Sequence, residues 1–249
     1  MPIERFVFLD FDDTLSDPYR FHTQYVRAIG ALLAPQYGGD AADWSKGAID
    51  VLQTLEGEYD ERFEGNPLNG YCAWLDTVRA RSAGLLFERM GMPPPPDSRR
   101  VARETQFNAL RRCNALFPGC GSALHALANA GHAVHLASGQ ESEYLTAALV
   151  GADLQNLVGS KFGPDLIDCA KEGPEYFERV FAAVGATAAN AIVVDDYPPA
   201  IRWGMQAGAA VIQSRLSRER HFDEVNGVAG MLFNLTDLPG LVESIFATR

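Results

Sequence analysis

Phe6-Val7-Phe8-Leu9-Asp10-Phe11-Asp12-Asp13-Thr14-Leu15 is the stretch on which the fold turns. Its first half is an unbroken run of β-favouring apolar residues. Such a run reads as a strand buried on both faces, as in a parallel sheet covered by helices. Its second half holds three carboxylates within four residues. Burying that much like charge is unfavourable unless a cation or a reaction accounts for it. The carboxyl end of a buried parallel strand is where open α/β sheets place their ligands. A turn or a helix cap explains one Asp after such a strand, whereas Asp-x-Asp-x-Thr points to chemistry.

Outward from this stretch the pattern becomes helical. Residues 17–34 read as one helix, with Phe21, Tyr25, Ile29 and Leu32 near helical spacing, and Gln36-Tyr37-Gly38-Gly39-Asp40 breaks it. Further helices are expected at about 44–60 and 71–92, with a turn at 64–68 between them. Four prolines at 93–96 form a stiff connector, and a helix over about 98–116 leads back. No alternating strand falls between 17 and 116, so this region reads as an all-helical insert. Beyond it, strands are expected at 133–137, 157–158, 191–194 and 209–212. Helices are expected at 121–130, 141–150, 174–184, 198–207 and 239–247. Alternation of this kind implies an α/β fold with a doubly wound parallel sheet. The domain division that follows is 1–16 with 117–249 as the α/β core and 17–116 as the helical insert.

The 249 residues suit one large domain or two modest ones, and 47% apolar with 21% charged content is ordinary for a globular chain. The start lacks the basic flank and apolar run of a signal peptide, and no apolar run is long enough to span a membrane. A cytoplasmic protein with no membrane partner is expected, as a monomer or homodimer. The cysteines at 72, 113, 120 and 169 show neither Cys-x-x-Cys nor zinc-ligand spacing and read as reduced packing residues. A net charge of −11 argues against a nucleic-acid partner. The charge is uneven: 17–116 carries 13 acidic and 12 basic residues, the remainder 19 and 9. So acidic a core, acting on an anionic substrate, needs a metal ion or a placed lysine.

A second apolar strand, Ala191-Ile192-Val193-Val194, also ends in acids, Asp195-Asp196. In a parallel sheet both acidic ends lie at one edge. Their converging oxygens suit a hard cation, most simply Mg²⁺, which keeps waters and binds phosphate oxygens. A helix N-cap before Pro198 would also explain Asp195-Asp196 taken alone. Ser138-Gly139 follows a third strand at the same edge, where the hydroxyl and nearby amides suit an anion. Ser138-x-x-Glu141 equally fits a capping box. Lys171, ahead of Glu172-Gly173-Pro174, is placed to offset the negative charge, with Lys161 as a competitor. Tyr19, Arg20, His22 and Gln24 lie just past the Asp10–Thr14 loop, where Arg20 and His22 are candidates for substrate contact. A solvated first turn of helix accounts for each of them as well.

Together these motifs resemble those of the haloacid dehalogenase (HAD) superfamily of hydrolases. Asp10-Phe11-Asp12-Asp13-Thr14 is similar to its first motif, Ser138 to the second, Lys171 to the third and Val193-Val194-Asp195-Asp196 to the fourth. The order matches and the coverage is essentially the whole chain. Glu172 stands where the family often has proline, and Ala200 where one form of the fourth motif has a later acid. The resemblance implies a Rossmann-like core with a helical cap at 17–116. It also implies a phosphatase mechanism. Asp10 would be the nucleophile and Asp12 the general acid and base. Ser138, Gly139 and Lys171 would bind the phosphoryl group, and Thr14 would brace the loop. Mg²⁺ would sit on Asp10, the Asp12 carbonyl, Asp196 and Asp195. Relatives that cleave carbon–halogen bonds lack an acid at the Asp12 position, since halide leaves without a proton. The expected substrate is therefore a small phosphorylated metabolite. A phosphoacceptor signalling domain would place its acid pair before the accepting Asp and carry no such insert. A non-catalytic binding protein would have no need of the intact acid, serine and lysine set.

Overall fold

β1 (Phe6–Leu9) is buried along its whole length, as its apolar run requires. The computed structural model describes residues 4–63, 71–217 and 222–249. After β1 come α1 (Pro18–Tyr37), α2 (Ala41–Phe63), α3 (Tyr71–Arg89), α4 (Ser98–Leu110) and α5 (Cys120–Asn129). Next are β2 (Ala133–Ala137), α6 (Ser142–Gly151), β3 (Lys161–Phe162), α7 (Pro164–Ile167) and α8 (Pro174–Val184). The chain ends with β4 (Ala191–Asp195), α9 (Pro198–Gln206), β5 (Ala210–Ser214), β6 (Gly230–Leu232) and α10 (Leu238–Ala247). These strands form one parallel sheet in the order β3-β2-β1-β4-β5-β6.

The two-residue period of β1 sends its side chains to opposite faces. Val7 and Leu9 join Leu124, Leu127, Leu145, Leu149 and Val242 on one side. Phe6 and Phe8 join Phe177, Val180, Val193 and Ile201 on the other. The sheet is thus covered by α5, α6 and α10 on one face and by α8 and α9 on the other. Leu9 lies level with Leu136 of β2 and Val194 of β4. That register brings Asp10, Ser138 and Asp195-Asp196 out at one edge. From β1 the strand order runs outward in both directions, so this edge is a topological switch point.

The helices α1 to α4 enclose a separate apolar cluster that includes Val26, Ile29, Leu33, Trp44, Val51 and Phe87. Where the chain leaves and re-enters the sheet domain, its two passes run side by side. The Asp17 N–H donates to the Ala115 carbonyl and the Phe117 N–H to the Leu15 carbonyl, both at 2.9 Å. Asp17 caps α1 by accepting from the Arg20 N–H at 3.0 Å, and Pro18 opens the helix without a donor to lose. The helical insert after the first acidic motif is therefore a helical cap on a parallel α/β core.

Several boundaries differ from expectation. The strand expected at 157–158 is the end of a 3₁₀ turn at Gln155–Leu157. Pairing with β2 begins only where the Gly159 N–H reaches the Val134 carbonyl at 2.8 Å. The helix expected to run to 116 ends at Leu110, because residues 115–117 are extended beside 15–17. α1 continues through Pro35 to Tyr37 and stops at Gly38, whose φ of +83° suits glycine. The turn expected at 64–68 lies outside the described residues. Among the described residues no helix is long and apolar enough to cross a membrane. All four cysteines are free, with only Cys72 exposed.

Gly163 packs against the loop that follows β2. A Cβ there would sit 2.2 Å from the Gln140 carbonyl oxygen and 2.7 Å from the Ser142 nitrogen, both backbone atoms. Overpacking of this kind costs about 1–3 kcal/mol, so the Gly163→Ala variant is expected to melt roughly 2–12 °C below the parent. A thermal melt checks this, and an unchanged Tm would show that the loop yields without cost.

Candidate active site

Beyond β1 the backbone curls tightly. The Asp10 N–H donates to the Val194 carbonyl at 2.9 Å, which keeps Asp10 beside β4. The Leu15 and Ser16 N–H groups both return to the Phe11 carbonyl, at 2.8 and 2.9 Å. Asp13 takes a left-handed conformation at φ +56°, which Asp tolerates better than most side chains. The curl lets Asp10 and Asp12 line the same hollow of about 210 Å³, together with Ser138, Gly139, Lys171 and Asp196. Sequence-predicted residues from four separate segments thus meet.

Lys171 is nearly buried between two acids. Its Nζ lies 2.6 Å from Asp10 Oδ1 and 2.6 Å from Asp195 Oδ2. Burial alone would lower its pKa, but Asp10 and Asp195 more than offset this and raise it. Lys171 therefore stays charged. The competitor Lys161 is spent elsewhere, donating to the Gln155 and Val158 carbonyls. Asp195 Oδ1 also accepts from the Tyr197 N–H at 3.0 Å, so it closes the turn after β4 without capping α9 itself.

Asp10, Asp195 and Asp196 each offer an oxygen, and these oxygens lie within 4.8 Å of one another. Burial pushes Asp196 up to about 8, reinforced by Asp10 and then Asp195. Burial likewise pushes Asp195 up to about 6, against the pull of Lys171. One ammonium does not balance three converging carboxylates. A hard oxygen donor set that carries excess negative charge fits a small divalent cation.

The Asp12 carboxylate stands outside that group of three. Its Oδ2 accepts from Gln140 Nε2 at 2.8 Å and its Oδ1 from Ser16 Oγ at 3.2 Å. Burial and then the Asp10 charge raise its pKa to about 6, while Gln140 and Ser16 oppose the shift. A carboxyl near 6 exchanges a proton readily at neutral pH.

Ser138 is buried, and among the described residues its hydroxyl accepts only a long hydrogen bond, 3.3 Å, from the Gln140 N–H. The capping box with Glu141 does not form. Glu141 is itself the residue before α6, and its carboxylate meets Arg79 of α3 at 2.6 Å. Asp165 takes the cap role by accepting from both the Ser142 N–H and its hydroxyl. The Ser138 hydroxyl is left to face the hollow. The Tyr176 hydroxyl lies 2.8 Å from the Ser138 carbonyl and 2.9 Å from that of Phe162, bracing this loop against α8. Thr14 is fully buried, yet its hydroxyl has no hydrogen-bond partner among the described residues. It packs the loop without bonding to it.

Arg20 and His22 are both exposed. Arg20 lines a neighbouring cleft of about 830 Å³ with Tyr19, Phe117 and Phe233, which touches the hollow only at Asp13. His22 borders that cleft and also a second one, about 690 Å³, which includes Asp12 and Gln140. Gln140, Asp165, Tyr176 and Arg79 were not foreseen. Gln140 was legible as the second residue after Ser138. The others act across 23 or more residues of chain and leave no local pattern.

The family profile described as haloacid dehalogenase-like hydrolase matches residues 5–208. No curated protein matches the sequence significantly. Among solved structures, the defluorinating L-2-haloacid dehalogenase Rha0230 is similar at 16% identity over 96% of this chain and 95% of its own, with a TM-score of 0.68. The 2-haloacid dehalogenase of Pseudomonas syringae pv. tomato DC3000 is 19% identical over 97% of this chain and 99% of its own, TM-score 0.68. The putative HAD-hydrolase YfnB of Bacillus subtilis, bound to magnesium, is 16% identical over 96% of this chain and 98% of its own, TM-score 0.61. At such identities the likeness is one of fold.

Replacing Lys171 removes the one ammonium from this group of acids. Breaking a buried ion pair leaves unpaired charge and costs about 3–5 kcal/mol. Lys171→Met is therefore expected to melt roughly 10 °C below the parent in chelator. Excess Mg²⁺ should narrow the gap, which calorimetry with and without the ion would check.

Proposed function

The chain belongs to the haloacid dehalogenase-like hydrolases, and we propose that it is a Mg²⁺-dependent phosphatase for a small phosphorylated metabolite. We take residues 17–116 as the cap and 1–16 with 117–249 as the catalytic core. The observation that carries the reading is Asp12. It borders the hollow two residues from Asp10, lies outside the three-carboxylate group, and has a pKa raised to about 6. An alcohol leaving group needs a proton and a halide does not, so a second acid in this position serves ester cleavage.

In this reading the Asp10 carboxylate attacks phosphorus and the ester oxygen departs, leaving an aspartyl-phosphate. Asp12 gives its proton to the departing oxygen. As a carboxylate it then takes a proton from the water that hydrolyses the acyl phosphate. Lys171 and the Ser138 hydroxyl bind the phosphoryl oxygens, where charge is stabilised in the transition state. Gln140 holds Asp12 in place by its 2.8 Å hydrogen bond. Asp10, Asp195 and Asp196 would hold the Mg²⁺ with help from the Asp12 carbonyl, and the ion supplies charge screening between nucleophile and phosphate.

Hydrolysis of an aryl phosphate is expected to need Mg²⁺ and to stop in excess EDTA; full turnover in EDTA would count against the reading. Asp10→Asn should form no phosphoenzyme. Asp12→Asn should lose about 10²–10⁴-fold in kcat on alkyl phosphates. Its loss should be much smaller on aryl phosphates with acidic leaving groups. Equal losses on both would remove Asp12 as the acid.

A further inference from the structure

We propose that the alcohol released by this enzyme is uncharged and largely apolar or aromatic, and that one face of α3 selects it. This rests on the phosphatase reading above and names its substrate class. The cleft of about 690 Å³ opens off the phosphoryl hollow and shares Asp12, Asp13, Gly139 and Gln140 with it. With phosphate in the hollow and Asp12 beside the ester oxygen, the rest of the substrate projects into this cleft. The neighbouring cleft that holds Arg20 meets the hollow only at Asp13 and does not adjoin Asp12.

The wall is built at helical spacing. Tyr71, Trp74, Leu75 and Val78 fall at i, i+3, i+4 and i+7 of α3 and so share one face. The Tyr71 and Trp74 rings are 5.3 Å apart. Phe21 and Tyr144, whose rings are 5.5 Å apart, line the cleft from α1 and α6.

Charge argues in the same direction. Among the described residues no lysine or arginine lines this cleft, and its charged groups are the acids Asp12, Asp13 and Glu141. The nearest cation along α3, Arg79, is already committed to Glu141 at 2.6 Å and Glu143 at 3.0 Å. A second phosphate or a carboxylate on the substrate would meet these acids and, among the described residues, no lysine or arginine, and burying it unpaired is costly. A polyhydroxylated sugar would face the side chains of Phe21, Leu52, Leu55, Leu75 and Val78, which offer its hydroxyls no hydrogen-bond partner. An aryl or alkyl group matches the wall.

The test measures kcat/KM for the full chain with Mg²⁺ on phenethyl and hexyl phosphates, and on phosphoglycolate, glucose 6-phosphate and fructose 1,6-bisphosphate. The uncharged apolar esters are expected to lead by at least tenfold. Trp74→Ala should shrink that lead at least threefold, chiefly through KM, with the fold checked by circular dichroism. An equal or higher kcat/KM for the anionic or sugar esters in the parent protein overturns the inference and leaves the phosphatase reading standing. No turnover of any ester, with or without dechlorination of 2-chloropropionate, removes the phosphatase reading and this inference with it.

Discussion

Like charge at the edge of the sheet is the constraint on which the molecule depends. Three carboxylates within 4.8 Å of one another, with Asp12 nearby, are held against a single buried lysine. Such an arrangement survives only if its members cannot move apart. The parallel register of β1 and β4 provides that rigidity, since Asp10 is bonded through its own N–H to the strand that carries Asp195. The apolar packing on both faces of the sheet is what opposes the repulsion. Charge of this density is a poor route to stability, because buried ions pay for desolvation that their partners only partly return. It lies at the switch point, where open α/β sheets bind their ligands.

The sequence was most legible where burial and charge coincide. A strand buried on both faces must be apolar throughout, so β1 and β4 stand out, and the acids that end them stand out by contrast. The edge strands β3 and β6 have two and three residues, too few to show a period, and went unrecognised or misplaced. Helix existence was clear for α1 to α4, but ends depended on contacts made elsewhere, as where residues 115–117 straighten to lie beside 15–17. In the site, local sequence identified which residues carry charge but not where each carboxylate turns. Asp12 separates from the metal-type group because Gln140 and Ser16 hold it, and Ser138 is released from a capping role because Asp165 fills it.

Fold likeness says little about the leaving group. Proteins described as haloacid dehalogenases share this architecture at TM-scores of 0.68. In the phosphatase reading, ester cleavage differs from carbon–halogen cleavage in needing a side chain that supplies a proton to the leaving oxygen. The rise of Asp12 toward 6 comes first from burial and then from the Asp10 charge. The Asp10 charge therefore helps to set the protonation of its neighbour, and side chains at the site rather than the fold decide the reaction class.

The apolar wall and the charged floor are also physically joined. The Tyr71 N–H at the start of α3 donates to Asp168, three residues before Lys171, at 3.0 Å. Midway along the same helix, Arg79 grips Glu141, three residues after Ser138, with both side chains largely buried. The helix that carries the apolar wall is thus tied at two points to the loops that carry Lys171 and Ser138. These ties are partly shielded from water, so they are screened less than surface pairs and fix geometry more firmly. A shift of α3 relative to the sheet must either break them or carry Ser138 and Lys171 with it. In the proposed reading, selection of the alcohol and alignment of the phosphate are thereby coupled through α3.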